Sequence, residues 1–551
     1  MRPRTTKRFL MAVLAAMVSG MSSAADNAQS RAGNGYNELL ALFSEWRTFE
    51  QPPVRAGAPD YTTDSISRRQ AELKKLQQRL AAIQPGGWPV DQQVDYHLVR
   101  AEMNGLDFNI RVLKPWERDP AFYKSIWTEQ SDTPAHEGPT HHHLVELWTY
   151  TYPLSRDAEV KMARELQIVP PLLTQACTNL TGNARDLWVT GIGTMKQQVA
   201  DLEALEKTTA HSGAELQNAV DAAKKATIDF VAWLEGQAPS KTGPSGVGKE
   251  NYTWSLRNVH LVPMSWDEEV NLLKRELARA QASLRLEEQR NKGLPPLEAS
   301  ANEEQFRRRG EAAVSKMMAF VKAKDLLPVK PNMDPAMRAQ IGHFVPEASR
   351  NFFAITSHYE PLPLYSHFYH WWDLAQMRDE PHASPIRRGA LLYNVWDSRA
   401  EGMATAFEEA VMHAGLYDDN PRGREIVWIM LAQRAARGLA SLYLQANEVD
   451  IRQAKAFQVE WTPRGWMSPT LDLLNFEQQL YLRQPGYGTS YVTGKHLLDE
   501  LMKDRAHQLG DRFTTSRYYA ELNAAGVIPV ALIRWQMTGL DDQIRDLSRT
   551  H

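Results

Sequence analysis

The chain of 551 residues has almost no cysteine and no strong excess of charge of either sign. Cys177 is its single cysteine, so disulfides within the chain are excluded and stability has to come from the core. The formal net charge is −3, which predicts no basic surface for nucleic acid or for an anionic membrane. We therefore expect a small-molecule or peptide substrate and no nucleic-acid partner.

Long hydrophobic runs are also missing. The most apolar one, FLMAVLAAMVSGM at residues 9–21, is too short to span a bilayer. It follows the basic stretch MRPRTTKR and precedes SSAAD, where small residues suit cleavage after Ala24 or Ala25. We predict a signal peptide over residues 1–25, secretion to the periplasm, and no membrane span in the mature chain. The alternative is an N-terminal membrane anchor, whereas a lipid anchor is not expected because no cysteine follows the run.

Strand-like alternation is scarce, whereas helical periodicity runs through most of the chain. One helix is predicted to begin with Asp64 as its cap and to end before Pro85. Another is predicted to open at Ser265, with Glu268 completing a capping box. The best short strand candidate is residues 251–263. Together these patterns predict a mainly α protein with few short strands.

A segment rich in glycine, proline, serine and lysine, residues 238–251, interrupts the helical texture. It suits either a linker between domains or a surface loop within one helical domain. The helical periodicity is the same on both sides of the segment, which favours the loop. We predict one large helical domain over residues 36–545, whose halves, 36–237 and 250–545, are joined by this loop.

Histidines are concentrated in two stretches. HEGPTHHH, residues 136–143, looks like a metal motif, but a helical zinc motif needs its first two ligands four residues apart. Thr140 occupies that position, and Gly138 and Pro139 break a helix. We therefore predict a loop there rather than a metal site.

The second stretch, HFYHWWDLAQ, spans residues 367–376. If it is helical, His367, His370 and Asp373 recur every third residue and spread over roughly 120° of one broad face. A metal could take two of these side chains and a carboxylate from a neighbouring helix.

Carboxylates of that kind follow in the next helical segment, where Glu401 and Glu408 fall on related faces. Buried acidic residues need a cation, either a metal or an arginine. Three arginines lie nearby in sequence, so a metal site and an ion-paired core both remain open on residue types alone: Arg387, Arg388 and Arg399.

A third stretch, YLRQPGYGTSYVTGK at residues 481–495, combines a tight turn with a helix start near Thr489. Tyr487, Tyr491 and Lys495 then project from the turn and the first helical turns, an arrangement that suits an anionic or carbonyl group. A capped helix start with packed tyrosines fits the same pattern.

Six sequence segments, in order along the chain, carry a resemblance to a known family. They are GKENYTWSL with SWDEEVNLLKREL, AEGMATAFEEAVMHAGLYDD, AQRAARGLASLYLQ, YLRQPGYGTSYVTGK and LGDRFTTSRYYAELNAAGVIPVALI. Over residues 36–545 the chain resembles the domain-of-unknown-function family 885. The resemblance implies one large helical domain similar to gluzincin-type metallopeptidases of the carboxypeptidase Taq kind.

The family's metal motif reads roughly H-E-A-x-P-G-H-H-L-Q, followed later by E-G-W. HFYHWWDLAQ occupies its place, with His367 matching the leading histidine. Phe368 stands where the family has its general-base glutamate, and Asp373 stands where it has the second histidine. Glu401, in EGM, is the implied third ligand. The resemblance thus implies a retained scaffold with altered chemistry.

The leading hypothesis is an exported, divergent metallohydrolase that acts on a peptide or another small amide or ester. Zinc is the expected divalent metal. The expected roles are metal binding by His367, Asp373 and Glu401, catalysis by His370, Glu408 and Tyr491, and substrate binding by Trp372, Tyr487 and Lys495. A metal-free descendant is the alternative, either a ligand-binding protein with an aromatic wall or a lyase that uses its histidines; the wall would be Phe368, Tyr369, Trp371 and Trp372.

Overall fold

The computed structural model describes residues 35–133 and 145–549. The predicted signal peptide and the stretch His136–His143 lie outside the described residues. Within those ranges most residues are helical, which confirms the predicted single large helical domain. No helix of the described ranges is long and apolar enough to cross a membrane.

The helices in chain order are α1 (35–50), α2 (Thr63–Ala82), α3 (Val90–Phe108), α4 (Pro115–Arg118), α5 (Arg156–Leu166), α6 (Val169–Asn179), α7 (Arg185–Thr208), α8 (Ala214–Gln237), α9 (Lys249–Asn258), α10 (Trp266–Arg290), α11 (Glu303–Ala323), α12 (Met333–Arg338), α13 (Phe352–Tyr359), α14 (Pro361–His367), α15 (Tyr369–Asp379), α16 (Asp397–His413), α17 (Arg422–Gln445), α18 (Ile451–Trp461), α19 (Asp472–Arg483), α20 (Tyr487–Leu509), α21 (Thr515–Ala524), α22 (Val530–Thr538) and α23 (Asp542–Leu547). The strands are β1 (Val54–Arg55), β2 (Ala58–Pro59), β3 (Ile126–Trp127) and β4 (Val145–Glu146). The first two strands pair antiparallel and the last two pair parallel.

Local sequence signals account for several helix boundaries. The predicted capping box of α10 is confirmed, because the Ser265 side chain and Glu268 satisfy each other's backbone N–H groups. The cap of α2 is Thr62 rather than Asp64, which lies in the first turn. The predicted strand at 251–263 is wrong. Most of that segment is α9, where Tyr252 and Leu256 share a buried face at helical spacing.

The segment 238–251 packs against the helical body. The Ser245 hydroxyl accepts hydrogen bonds from the backbone N–H groups of Asp186 and Leu187 at the start of α7. Gly246 lies so close to the Gln445 carbonyl that a Cβ there would sit 2.4 Å from its oxygen. Both contacts tie the segment to helices on either side of it, as expected for a loop within one domain.

The part of the fold that positions the candidate site is built around α16, α17 and α20. Almost every residue of α17 is buried, so this helix forms the centre of the bundle. Helices α16 and α20 cross at Gly402 and Gly494, where a Cβ on Gly402 would sit 2.5 Å from the Gly494 backbone. The two glycines allow the backbones to touch, which brings Glu401 on α16 to the first turn of α20.

A buried carboxyl group lies beneath α20. Glu269 of α10 is fully buried and accepts hydrogen bonds from the hydroxyls of Tyr252 (2.7 Å) and Thr493 (2.8 Å). It forms no salt bridge with any residue that the structure describes. Burial raises the pKa of Glu269 from 4.5 to about 7. The folded protein therefore keeps a proton that the unfolded chain loses, so this group's contribution to stability is complete below pH 4.5 and is lost as the pH rises through 7.

We expect Glu269→Gln to remove this pH dependence. Between pH 4.5 and about pH 8, the free energy of unfolding of the wild type should fall by about 3 kcal/mol relative to that of the variant. Urea unfolding of both proteins at the two pH values measures the difference. A difference that stays constant across this range would show that Glu269 is ionised in the folded protein.

Candidate metal centre

The stretch 367–376 is divided between two helices rather than forming one. His367 is the last residue of α14, and His370 lies in the first turn of α15, with Phe368 between the helices. Glu401 is presented by α16, at the glycine crossing. Tyr487 is the first residue of α20, and Gly486 before it has φ +97°, a left-handed conformation that suits glycine.

These elements bring two histidines and one glutamate together. One ligand atom each from His367, His370 and Glu401 lies within 4.8 Å of the other two. Nε2 of His370 is 3.0 Å from Oε2 of Glu401, and Nε2 of His367 is 3.8 Å from the same oxygen. All three residues are buried. The Tyr487 hydroxyl donates a hydrogen bond of 2.5 Å to the other carboxylate oxygen of Glu401. We call this group the His-His-Glu cluster.

The far side of His367 contacts a second carboxylate. Its Nδ1 lies 2.8 Å from Oε1 of Glu408 and 3.1 Å from Nη2 of Arg434. We assign the ring proton to Nδ1 because the carboxylate is nearer and accepts it. Arg434 in turn binds both oxygens of Glu408, at 2.7 and 2.6 Å. This arrangement leaves Nε2 of His367 unprotonated on the side of the cluster, as in histidines that ligate metals.

Charge is distributed unequally over the cluster. Burial and the nearby Arg434 hold the pKa of His367 well below its usual range, so this ring is neutral. Burial acts on the pKa of His370 in the same direction, but the Glu401 carboxylate overcomes it and raises that pKa to about 9. Burial opposes ionisation of Glu401, yet His370 holds the pKa of Glu401 below its ordinary value. Without a metal, His370 and Glu401 therefore form an ion pair at neutral pH.

Asp373, a predicted metal ligand, lies outside the His-His-Glu cluster. Both of its oxygens accept hydrogen bonds from Arg399, each at 3.1 Å, and Arg399 also donates to Asn523 at 2.9 Å. Asp373 lines a separate cavity of about 220 Å³ that Arg399 and Asn523 also line. His370, one turn earlier in the helix, takes the place that the sequence comparison assigned to Asp373.

Of the remaining predicted site residues, some contact the cluster and others lie elsewhere. The Tyr491 ring stacks with that of His367, with centroids 6.1 Å apart, so it belongs to the site. Lys495 lies elsewhere, paired with Asp499 at 2.6 Å and with Glu409 at 3.3 Å. Trp372 is buried in the core and donates to the Met333 carbonyl. Glu408 contacts the cluster only through His367.

Two residues that sequence reasoning missed also belong to the site. The Arg437 guanidinium lies 4.0 Å from the Tyr491 ring centre, donates to Glu477 at 2.8 Å, and has a buried Nε without a hydrogen-bond partner in the described structure. Asp132 comes from a loop and interacts electrostatically with His370 and Glu401, and burial raises its pKa. Arg437 could have been noticed as an arginine in an otherwise apolar helix, whereas no local signal marks Asp132.

The chain resembles bacterial proteins of unknown function. The model of the family "Bacterial protein of unknown function (DUF885)" matches residues 50–357, more than half of the chain. None of the curated proteins matches the chain.

Two solved structures share the fold. A "putative lipoprotein of unknown function" from Shewanella oneidensis is 14% identical, with a TM-score of 0.64; the match covers 92% of this chain and 98% of that one. A "putative lipoprotein" from Colwellia psychrerythraea is 12% identical, with a TM-score of 0.65; the match covers 93% of this chain and 99% of that one. At such identities the likeness concerns the fold alone.

Fold and site together define a large, single-domain helical protein with a buried His-His-Glu cluster between its central helices. The chain belongs to the DUF885 family, as its resemblance in sequence predicted. The family match ends at residue 357, ten residues before His367. The cluster therefore rests on the geometry of this chain and not on the family match.

Proposed function

We propose that the protein is an exported hydrolase that acts on a peptide or another small amide or ester, with a divalent metal held by His367, His370 and Glu401. The observation that carries the proposal is the meeting of three ligand atoms within 4.8 Å, together with the contact of 2.8 Å between Nδ1 of His367 and Glu408. Catalytic zinc sites use three protein ligands of this kind and keep one position open.

The donor set fits zinc. Two imidazole nitrogens and one carboxylate oxygen are ligands that zinc accepts, and the Glu408 carboxylate behind His367 fixes the orientation of its ring. A divalent ion held there supplies Lewis-acid polarisation of a carbonyl group. His370 has to release its proton before it can bind a metal, so metal binding is expected to weaken as the pH falls.

The protein's own groups would bind the substrate and move its protons. Tyr491 and Arg437 lie beside the cluster, where a phenol and a guanidinium would stabilise negative charge developing on a carbonyl oxygen. Because Phe368 stands where the family has glutamate, another carboxylate has to accept the proton of the attacking water. Glu408 is held by Arg434, whereas Asp132 forms no salt bridge with a described residue, so we assign that role to Asp132.

We also propose a periplasmic location. The proposal rests on the signal-like N-terminus and on the two structural neighbours, which are described as lipoproteins.

A metal-free function is the second candidate, and the ion pair of His370 with Glu401 favours it. Nε2 and Oε2 are already 3.0 Å apart, and the pKa of His370 is raised to about 9, so a proton satisfies the carboxylate without a metal. In that case the site would bind a ligand through the charged groups around it.

Metal analysis of the mature protein separates the two candidates. After reconstitution with zinc, manganese or iron, we expect stoichiometric metal in the wild type and its loss in His367→Ala and His370→Asn. Asp373→Asn should keep the metal, because Asp373 pairs with Arg399 instead. Absence of metal from the wild type would reject the metallohydrolase. Loss in Asp373→Asn, with retention in His370→Asn, would restore the ligand set predicted from the sequence.

A further inference from the structure

A pocket of about 450 Å³ is lined by Asp132 and by the residues that directly follow His367 and His370 in the chain. Four aromatic side chains contribute to its lining: Trp127, Phe368, Trp371 and Phe476. We call it the aromatic pocket. Its volume is in the range that small-molecule sites occupy, and seven polar residues share the lining with the four rings.

Residues of the aromatic pocket adjoin residues of the cluster in the chain. Phe368 directly follows His367 in the chain, and Trp371 directly follows His370, so the same turn of backbone presents a histidine inward and a ring to the pocket. Asp132 lines the pocket and also interacts electrostatically with His370. Asp132, Phe368 and Trp371 are thus the residues through which the pocket adjoins the cluster.

The rings of the stretch 368–372 divide between two directions. Tyr369 and Trp372 are buried and pack against Phe407 in the core, with ring centroids 5.2 and 5.7 Å apart. Phe368 and Trp371 are only partly buried. The aromatic wall predicted from the sequence is thus divided, with Phe368 and Trp371 at the aromatic pocket and Tyr369 and Trp372 between the core and the separate cavity at Asp373.

Two of the pocket rings lack an aromatic partner in the described structure. Trp371 and Phe476 make no ring contact with any other ring among residues 35–133 and 145–549. Phe476 is 49% exposed although it is a large apolar residue. An exposed phenylalanine ring does not give the folded protein the stabilisation that burial of the ring would give. A ligand ring placed between them would recover that burial and add stacking.

We propose that the aromatic pocket binds an aromatic side chain of the substrate next to the bond that is cleaved. This inference rests on the proposed function and names its substrate class, which is peptides and other amides or esters of aromatic amino acids. The pocket excludes no small side chain by size, so discrimination comes from the apolar contact that a small side chain lacks.

Binding can be measured apart from hydrolysis. We expect N-acetyl-L-phenylalaninamide to bind at least about tenfold more tightly than N-acetyl-L-alaninamide in titration calorimetry. Trp371→Ala and Phe476→Ala should each weaken binding of the phenylalanine compound about fivefold and leave the alanine compound unchanged. Trp461→Ala is the matched control, because Trp461 is also partly exposed but lines a different surface. If the Trp371 variant fails to fold, the Phe476 variant alone tests the proposal. The exposed ring of Phe476 contributes little to the core, so its removal should not prevent folding.

Hydrolysis of matched peptides that carry phenylalanine or alanine beside the cleaved bond completes the test. Binding that prefers phenylalanine without any hydrolysis would support the pocket and reject the proposed function. Hydrolysis of both peptides at equal kcat/KM, or equal binding of both amides, would overturn the pocket.

Discussion

Glu401→Gln is expected to abolish metal binding and to lower kcat/KM for peptide hydrolysis by about a thousandfold. The carboxylate is the one ligand that lies close to both histidines, at 3.0 and 3.8 Å, and it carries the charge that compensates a buried cation. An amide of the same shape keeps the packing but loses that charge, and several kcal/mol of transition-state stabilisation are lost with the metal. Elemental analysis and steady-state kinetics on the same preparation measure both losses.

Tyr487→Phe is the matched control for this prediction. It removes the hydrogen bond to the other oxygen of Glu401 and leaves the carboxylate in place. Loss of a hydrogen bond to a metal ligand costs about tenfold to a hundredfold in metal affinity or activity, so the variant should retain measurable metal. If Glu401→Gln binds metal and hydrolyses peptides as the wild type does, the His-His-Glu cluster is not the site.

Most of the fold could be predicted from the sequence because its signals are local. The capping box at Ser265 and the apolar periodicity of α10 depend on residues within a few turns of each other, and both are found. The strand prediction for residues 251–263 is wrong because the local signal there does not decide the structure. Its short alternation of apolar and polar residues fits strand and helix equally, and packing of Tyr252 and Leu256 against the rest of the core decides for helix.

The candidate site could be predicted only in part. The resemblance to the family motif indicates His367 and Glu401, and the structure brings these two side chains together. On one continuous helix, His370 and Asp373 would be comparable candidates for the next ligand. The break at Phe368, where ψ is 15°, separates α14 from α15 and directs His370 to Glu401. Phe368 is neither glycine nor proline, so no residue type marks this break in the sequence.

The arginine partners explain why the other predicted carboxylates do not join the His-His-Glu cluster. Residue types alone leave a metal site and an ion-paired core as alternatives, and the described structure places the His-His-Glu cluster beside carboxylates that are paired with arginines. Arg399 forms a salt bridge with Asp373, and Arg434 forms one with Glu408. Glu401 contacts the histidines instead. Which arginine meets which carboxylate depends on how four helices pack, and a single sequence does not specify those pairings.

The pair of Arg434 with Glu408 leads to the prediction with the largest expected effect on stability. Both side chains are 2% exposed, and two hydrogen bonds of 2.7 and 2.6 Å join them. Arg434→Met removes the cation and leaves Glu408 buried with His367 as its remaining neighbour. Loss of one partner from a buried pair costs about 3–5 kcal/mol, which should appear as a lower free energy of unfolding in urea.

Two further variants make this prediction decisive. Arg79→Met breaks an ion pair that joins α1 and α2 at 2.7 Å, but both of its side chains are more than half exposed, so its cost should stay below about 1 kcal/mol. The double variant Arg434→Met/Glu408→Gln removes both charges and should be more stable than Arg434→Met alone, because no unpaired carboxylate remains. The double variant should nevertheless bind metal more weakly than the wild type, since a neutral amide orients His367 less firmly than the carboxylate does. If the double variant is no more stable than Arg434→Met, Glu408 and Arg434 do not act as a pair.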